Sequence, residues 1–355
     1  MTASHACPSC ATMRACHPAR LDAVLEDTQM ISRRLLLGAA APLAAASIIR
    51  SAMAYPDRPI RMIVPFAAGG NTDILARLVA GRMAERLGRP IVIENRAGAG
   101  GSLGAELVAR APADGYTLLF GAGGPLTANP VLQANIPYDV ERDFRAIGLV
   151  GILPMICQVT ARLPARSLTE LIALMRQRDG ALTVATPGSG SAAHLALELL
   201  MAGANVRATH VPYRGGSAMV ADLISGTVDA GMVELPSALP LHQDGKAPIV
   251  AIATQQRSAR LPGVQTFIEA GLPNFTAGSY GGVLAPAATP AEIIAKLHAA
   301  LAAVLDEAAT QSRINEVGAI LSSPEQRTPD GFARFLSNEL ANARRAVRLA
   351  GLSPS

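Results

Sequence analysis

The chain alternates short apolar strands with helices, and two of the turns between them are rich in glycine. One such unit spans residues 60–73 and the other spans residues 181–191. Repeated β–α units imply parallel sheets with helices on both faces. Glycine lets a turn direct its N–H groups toward one point, and the N-terminus of the following helix adds partial positive charge. Each turn is therefore a candidate binding site for a small anion, and two such sites suggest an acidic ligand held between them.

Hydrophobic periodicity and capping residues locate the individual elements. Thr72 can cap the first helix, and Gly88 followed by Pro90 ends it. The predicted strands are 60–64, 91–94, 116–120, 182–185, 208–211, 230–233 and 249–254. The predicted helices are 72–87, 102–110, 168–177, 192–201 and 217–225, and the segment 290–349 is predicted to be nearly all helical.

The length of 355 residues suits two domains. The apolar stretch 147–159 can cross from one lobe to the other, and a second crossing is expected near residues 278–285. The sequence thus predicts an α/β protein in which lobe 1 comprises residues 55–155 plus 280–355 and lobe 2 comprises residues 156–279. Two crossings between two lobes form a hinged cleft.

The first 54 residues have the pattern of an N-terminal extension and an export signal peptide. A basic start at residues 30–34 precedes an apolar run of about 15 residues, short of the ~20 that span a bilayer, and Ala-Met-Ala at residues 52–54 fits a cleavage site. Ser-Arg-Arg-x-Leu-Leu also fits the twin-arginine pattern. We predict cleavage and a periplasmic location, with a retained anchor as the alternative. Both Met1 and Met30 remain candidate starts.

Composition excludes several classes of function. Aromatic residues make up 3% of the chain, Trp is absent and the formal charge of +4 is scattered, which argues against a nucleic-acid surface. The spacing of Cys7, Cys10, Cys16 and His17 does not match a usual zinc site. We therefore predict neither a metal nor a cofactor. Cleavage after residue 54 leaves Cys157 as the one cysteine, so the mature chain has no internal disulfide.

Ligands of open parallel sheets lie beyond the carboxyl ends of the strands. Four loops lie there, at residues 66–73, 121–127, 186–191 and 211–216, and they offer backbone amides, hydroxyls or a cation rather than a pair of carboxylates. The candidate ligand-binding residues are Phe66, Ala67, Gly69, Gly70, Thr72, Asp73, Ala122, Gly123, Thr127, Thr186, Gly188, Ser189, Gly190, Ser191, His194, Tyr213 and Arg214.

Three of these residues have an alternative role. Asp73 lies in the first turn of a helix, where it can stabilise the helix dipole or contact a ligand. Arg214 can pair with a ligand carboxylate or remain a solvated cation. We expect His194 to anchor its loop, with a hydrogen bond to the ligand as the alternative.

Two sequence patterns typical of enzymes are incomplete in this chain. The segment 96–104 follows a strand, but Leu103 stands where the third glycine of a dinucleotide fingerprint belongs. The segment 188–192 lacks the final glycine of a nucleophile elbow. The sequence therefore favours a binding protein over an enzyme.

The ordered motifs of residues 55–351 resemble the substrate-binding proteins of tripartite tricarboxylate transporters, the Bug (Bordetella uptake gene) family. The resemblance begins with Tyr-Pro-Asp-Arg-Pro-Ile-Arg at residues 55–61 and Val-Pro-Phe at residues 64–66. It continues through residues 69–73, 94–101, 114–119, 137–139, 210–215, 235–237, 261–264, 269–273 and 285–290.

The resemblance implies a two-lobed periplasmic binding protein, type II-like, that closes on a small carboxylate without covalent chemistry. The ligand would be an organic acid, an amino acid or an aromatic acid, held largely by backbone amides, hydroxyls and waters from the four loops. The protein would act as a monomer and deliver the acid to the membrane subunits of a tripartite tricarboxylate transporter. A periplasmic partner of a sensor kinase is the alternative.

The chain departs from the family pattern at several positions near the cleft or in the last helix. The first loop has no proline before its glycines, and Asn71 stands where serine is usual. Glu234 replaces a common aspartate, and Tyr280 and Ala343 occupy places often held by Trp. These departures bear on the identity of the ligand more than on the fold.

Overall fold

The computed structural model describes residues 55–351 of the chain. Its strands are β1 Ile60–Val64, β2 Ile91–Asn95, β3 Thr117–Ala122, β4 Phe144–Val159, β5 Thr183–Thr186, β6 Thr209–Pro212, β7 Ala230–Glu234, β8 Ile249–Ile252, β9 Gly278–Pro286 and β10 Ile320–Leu321. Its α-helices are α1 Asn71–Leu87, α2 Ser102–Ala109, α3 Asn129–Leu132, α4 Val140–Asp143, α5 Leu168–Arg178, α6 Ala192–Ala204, α7 Val220–Ser225, α8 Leu235–Gln243, α9 Ala291–Leu305, α10 Ala308–Glu316 and α11 Pro329–Leu349. Shorter turns of helix are Ala99–Gly101, Gly124–Ala128 and Gly216–Met219.

The strands form one continuous ladder in the order β2-β1-β3-β9-β4-β7-β5-β6, with β8 and β10 also paired to β4. The pairs β1–β2, β1–β3, β5–β6 and β5–β7 are parallel, as the sequence predicts. The expectation of wholly parallel sheets is wrong, however, because β4 and β9 pair antiparallel with their neighbours. A fully buried strand shows the same apolar run in either direction, so its sequence does not reveal which way it runs.

The 16-residue strand β4 links the two lobes of the molecule. Its first part pairs with β9 and β10, and its last part pairs with β7 and β8. The term first lobe is used here for the part of the fold around β1, β2, β3, β9 and β10, and the term second lobe for the part around β5 to β8, on the other side of β4. Loops that follow parallel strands reach the opposite lobe, since Gly215 approaches Ala67 and Gly190 approaches Asn129.

Each lobe packs apolar helices onto both faces of its strands. In α1, the residues Leu75, Val79 and Met83 lie on one face and are fully buried against the sheet. Gly88, in the left-handed conformation, ends this helix as predicted. In the second lobe, α5 and α6 cover one face and α7 and α8 the other. The cores thereby hold the strand ends rigidly and leave the loops between the lobes.

The sequence predictions for residues 1–54, including the export signal and the Cys7, Cys10 and Cys16 segment, lie outside the described residues. Within residues 55–351, no helix combines the length and the apolar character that a membrane span requires. Cys157 is buried in the core of the second lobe, and its burial raises the pKa of the thiol to about 12.

Candidate functional site

The first predicted loop, residues 66–73, lies against the loop that precedes α7 in the other lobe. The Ser217 hydroxyl donates a hydrogen bond to the Ala68 carbonyl at 3.3 Å. A Cβ added to Gly215 would lie 3.1 Å from the Cβ of Ala67. The backbones of the two lobes therefore touch here, and Gly215 permits the approach because it has no side chain.

A second contact between the lobes joins the glycine turn Ala99–Gly101 to residues 188–190. A Cβ added to Gly100 would lie 2.3 Å from the Ser189 carbonyl oxygen, and one added to Gly190 would lie 1.6 Å from Asn129 Oδ1. Both glycines have positive φ angles, +61° and +76°. Side chains at these two positions would hold the lobes apart.

Three helical segments begin at this cleft without a side-chain cap, and each has a glycine as its N-cap residue. They are α1 after Gly70, Gly124–Ala128 after Gly123 and Gly216–Met219 after Gly215. The first two belong to the first lobe and the third to the second. Uncapped first turns leave N–H groups without intrahelical acceptors, and such groups favour an anion. By contrast, the Ser191 hydroxyl caps α6 by accepting from the His194 N–H.

Both oxygens of the Asp73 carboxylate accept hydrogen bonds from groups of the first lobe. Its Oδ2 accepts hydrogen bonds from the Gly69 N–H and from Arg77 Nε, both at 2.8 Å, and its Oδ1 accepts from Asn95 Nδ2 at 2.9 Å. Burial acts to raise the pKa of Asp73, but these donors outweigh burial and hold it below its usual value. Asp73 therefore shapes the first loop as an anion.

Asn71 connects the first lobe to the start of α8 in the second. Its Nδ2 donates to Glu234 Oε2 at 2.8 Å, and its Oδ1 accepts from the Ser237 N–H at 2.7 Å. Glu234 is the N-cap residue of α8 but its side chain does not cap that helix. Asn71 thus supplies from the opposite lobe the cap that α8 lacks. Burial raises the pKa of Glu234.

Thr186, His194 and His210 lie together at the carboxyl end of β5, where Thr186 is hydrogen-bonded to His210 and His194 stacks on His210. Thr186 Oγ1 lies 2.6 Å from His210 Nε2, and the two imidazole rings stack with their centroids 4.2 Å apart. Burial, aided by the nearby His194, lowers the pKa of His210 to about 4. His194 Nδ1 accepts from the Gly190 N–H at 3.1 Å, so this ring anchors the loop.

The remaining predicted residues divide between the cleft and its surroundings. Phe66 lies close to two glycines. Its Cζ would be 3.3 Å from a Cβ added to Gly101 and 3.1 Å from one added to Gly124. The Thr127 hydroxyl is bonded to the Tyr280 hydroxyl at 2.7 Å, and the Tyr213 hydroxyl donates to Asp222 at 2.5 Å. Arg214 is exposed to solvent.

The other predicted residues lie at the strand ends. The Gly123 N–H donates to Ser279 Oγ at 3.1 Å, and Ala122 ends β3 opposite Gly281. The prediction that Thr72 caps the first helix is wrong, because α1 begins after the N-cap residue Gly70 without a side-chain cap and Thr72 is buried in its first turn. A Cβ added to Gly188 would lie 3.0 Å from the Tyr213 carbonyl oxygen, which places residues 188 and 213 in contact.

The list of candidate ligand-binding residues lacks Asn71, Asn129, Glu234 and the turn Ala99–Gly101, although the sequence analysis places Asn71 and Glu234 near the cleft as departures from the family pattern. The glycines of that turn resemble part of a dinucleotide fingerprint in the sequence, and in the structure they allow the lobes to approach. Asn129 is fully buried, and its Nδ2 donates to the Ala99 carbonyl at 3.0 Å and to Ser102 Oγ at 2.6 Å. Its Oδ1 has no hydrogen-bond partner among residues 55–351 and faces Gly190.

The chemistry of the cleft is that of binding. Residues 55–351 contain no group of three or more His, Cys, Asp or Glu side chains placed to hold a metal ion. The two acids at the cleft, Asp73 and Glu234, are each hydrogen-bonded to protein donors. What the two lobes present to a solute is a set of backbone N–H groups, hydroxyls and amides.

Comparison with known proteins agrees with this geometry. The profile of the family TctC, "Tripartite tricarboxylate transporter family receptor", matches residues 75–352. The protein BugT of Bordetella pertussis (strain Tohama I) is 36% identical over 302 residues, which cover 85% of this chain and 92% of BugT.

Two solved structures are similar over their full length. MatC from Rhodopseudomonas palustris with bound malate is 36% identical, with a TM-score of 0.80, and the match covers 82% of this chain and 100% of MatC. The R. palustris protein Rpa4515 with adipate is 34% identical, with a TM-score of 0.81. The match covers 85% of this chain and 100% of Rpa4515. The chain therefore belongs to the TctC family, to which the Bug proteins are related, and is a two-lobed periplasmic solute-binding protein rather than an enzyme.

Proposed function

We propose that this protein captures a small carboxylate between its lobes and delivers it to the membrane subunits of a tripartite tricarboxylate transporter. The observation that carries the proposal is the meeting of three uncapped, glycine-led helical N-termini from both lobes. Two similar proteins have been solved with carboxylic acids, MatC with malate and Rpa4515 with adipate. The ligand site is proposed at the four loops at residues 66–73, 121–127, 186–191 and 211–216.

Recognition rests on backbone donors. A carboxylate has several lone pairs and can accept from N–H groups of two loops at once. A ligand that bonds both lobes favours the closed arrangement by the difference between its affinities for the closed and open forms. Closure then proceeds by hinge motion about the strands that pass between the lobes, without covalent chemistry.

The route to the periplasm is part of the same proposal. Residues 1–54 are proposed to act as a cleaved signal peptide with a twin-arginine pattern, and the mature monomer would begin at Tyr55. The lobe boundaries are proposed at residues 55–155 plus 280–355 and residues 156–279.

Isothermal titration calorimetry with matched ligands tests the proposal. Malate, succinate, glutarate and adipate would be titrated into the protein, each beside its diamide, which keeps the length but removes the charge. We expect at least one acid to bind at micromolar concentration and its diamide to bind at least tenfold more weakly. Equal affinity for acid and diamide, or no heat from any acid in a broad panel that includes amino acids and aromatic acids, would contradict the proposal.

A further inference from the structure

A cavity of about 680 Å³ lies between α6 of the second lobe and α11 of the first. Its walls are completed by the start of β9 and by residues 253–256. Cavities of roughly 300–1,000 Å³ lined mostly by apolar groups with a few polar ones are the usual size and character of small-molecule sites. The volume alone therefore allows a ligand larger than a short dicarboxylic acid.

This cavity is distinct from the proposed carboxylate site. Gly123 and Thr127 line it, but residues 66–73, 186–191 and 213–214 do not. A Cβ added to Gly123 would lie 3.3 Å from the Cβ of Ala192, so these two residues pack together at the end nearest the four loops. The carboxylate site and the cavity thus share one wall.

Tyr280 on β9 and Ala343 on α11 line the apolar part of the cavity. Ala343 lies one turn from Glu339 on the same helix, and both residues face the space. Only a methyl group projects from residue 343, so a larger side chain there would occupy part of the cavity.

Glu339 gives the cavity its charge. It is the one carboxylate in the lining, and within residues 55–351 the lining contains no Lys, Arg or His. Glu339 is half-buried and forms no ion pair or hydrogen bond with the described residues. Its burial raises the pKa of the carboxyl. A partly buried acid without a partner favours a positively charged group beside it.

We propose that this cavity is a second binding site, for an aromatic molecule that carries an ammonium group. The ring occupies the apolar space beside Tyr280 and Ala343, and the ammonium group pairs with Glu339. Gln255 and Asn342 also line the cavity and offer hydrogen-bonding groups near its polar part.

Phenethylamine is a suitable probe, with 2-phenylethanol and phenylacetate as matched analogues. Calorimetry or ligand-observed NMR at pH 8 would measure their affinity for the full chain and for three variants. Ala343→Trp fills the cavity, Glu339→Gln removes its charge, and Glu85→Gln removes an exposed acid on α1. If Ala343→Trp does not fold, Ala346→Phe blocks the cavity from the same helix.

We expect saturable binding of phenethylamine that is lost in Ala343→Trp, falls at least tenfold in Glu339→Gln and is unchanged in Glu85→Gln. Binding of 2-phenylethanol should be equal in the parent and Glu339→Gln. The part of phenylacetate binding that is lost in Ala343→Trp, which excludes binding at the carboxylate site, should be weaker than that of phenethylamine or 2-phenylethanol. Absence of saturable phenethylamine binding, or full binding by the cavity-filling variant, would overturn the proposal. The affinity for a dicarboxylate is read separately, so failure of the carboxylate site is distinguishable from failure of the cavity.

Discussion

At the scale of single residues, Asn71 is the side chain that most directly ties one lobe to the other. One amide bonds both the Glu234 carboxyl and the Ser237 N–H. Leaving either buried group without its partner would cost roughly 1–3 kcal/mol. The contact between the lobes is therefore stabilised by hydrogen bonds within the protein, and Glu234 makes that stabilisation depend on pH.

Replacing Glu234 with Gln should remove this pH dependence. Because burial raises the pKa of Glu234 in the native protein, the native state holds this proton more tightly than the unfolded chain does. The resulting stabilisation is present below the unfolded pKa and is lost as pH rises through the native value. We expect the free energy of unfolding of the parent, relative to Glu234→Gln, to fall between pH 5 and pH 9.

Urea denaturation at several pH values measures this difference. Glu85→Gln, which changes an exposed acid on α1, serves as the control and should run parallel to the parent. A constant difference between the parent and Glu234→Gln across the whole pH range would show that the carboxyl titrates as it does in the unfolded chain.

At this scale the sequence indicates where the loops lie, but it does not indicate which side chains bond to one another. Parallel strands place their following loops at one edge of a sheet, and the loops of the two lobes also contact one another, as Gly215 does Ala67 and Gly124 does Ser191. That these loops hold the ligand stays a prediction. The sequence does not distinguish an Asp73 that stabilises its own loop from one that contacts a ligand. Both roles place an acid in the first turn of a helix. Asn71 and Glu234 are 163 residues apart, and only the docking of the lobes brings them together.

At the scale of elements, the glycine turns determine how closely the two lobes approach each other. Gly190 and Gly245 both have positive φ angles, +76° and +70°, but no atom lies within 4 Å of a Cβ added to Gly245. Substitution by Ala therefore strains both backbones similarly, while only Gly190→Ala introduces a clash with Asn129. The two variants form a matched pair that separates backbone strain from contact between the lobes.

We expect Gly190→Ala to bind its carboxylate roughly tenfold to a hundredfold more weakly, because overpacking costs about 1–3 kcal/mol and the lobes can relieve it by staying open. Gly245→Ala should bind as the parent does. Calorimetry gives the affinities, and thermal unfolding shows whether the two variants lose similar stability. An unchanged affinity in Gly190→Ala would mean that the bound form does not require this contact.

Most elements could be located from the sequence because their apolar spacing and caps are local signals. The predicted strand 60–64 is β1 itself, and the predicted helix 72–87 differs from α1 by one residue. The predicted helix 217–225 is a short helical turn, Gly216–Met219, followed by α7. The direction of β4 and β9 could not be predicted from the sequence, since a continuous apolar run looks the same when read either way.

At the scale of the whole molecule, function follows from the passage of β4 through both lobes. Two rigid α/β bodies joined at such a strand can hinge, and the strand ends of both bodies face the gap. In the proposed site, backbone donors from both sides suit any carboxylate, so the side chains do not identify a particular acid. The family and the fold could accordingly be predicted from the sequence, while the particular acid could not.

The location of a bound carboxylate tests this account most directly. A crystal structure of the protein with the tightest-binding acid from the calorimetric panel would supply it. We predict carboxylate oxygens within hydrogen-bond distance of backbone N–H groups from both lobes, among the loops at residues 66–73, 121–127, 186–191 and 211–216. A carboxylate bound to one lobe alone, or bound outside these loops, would contradict the account.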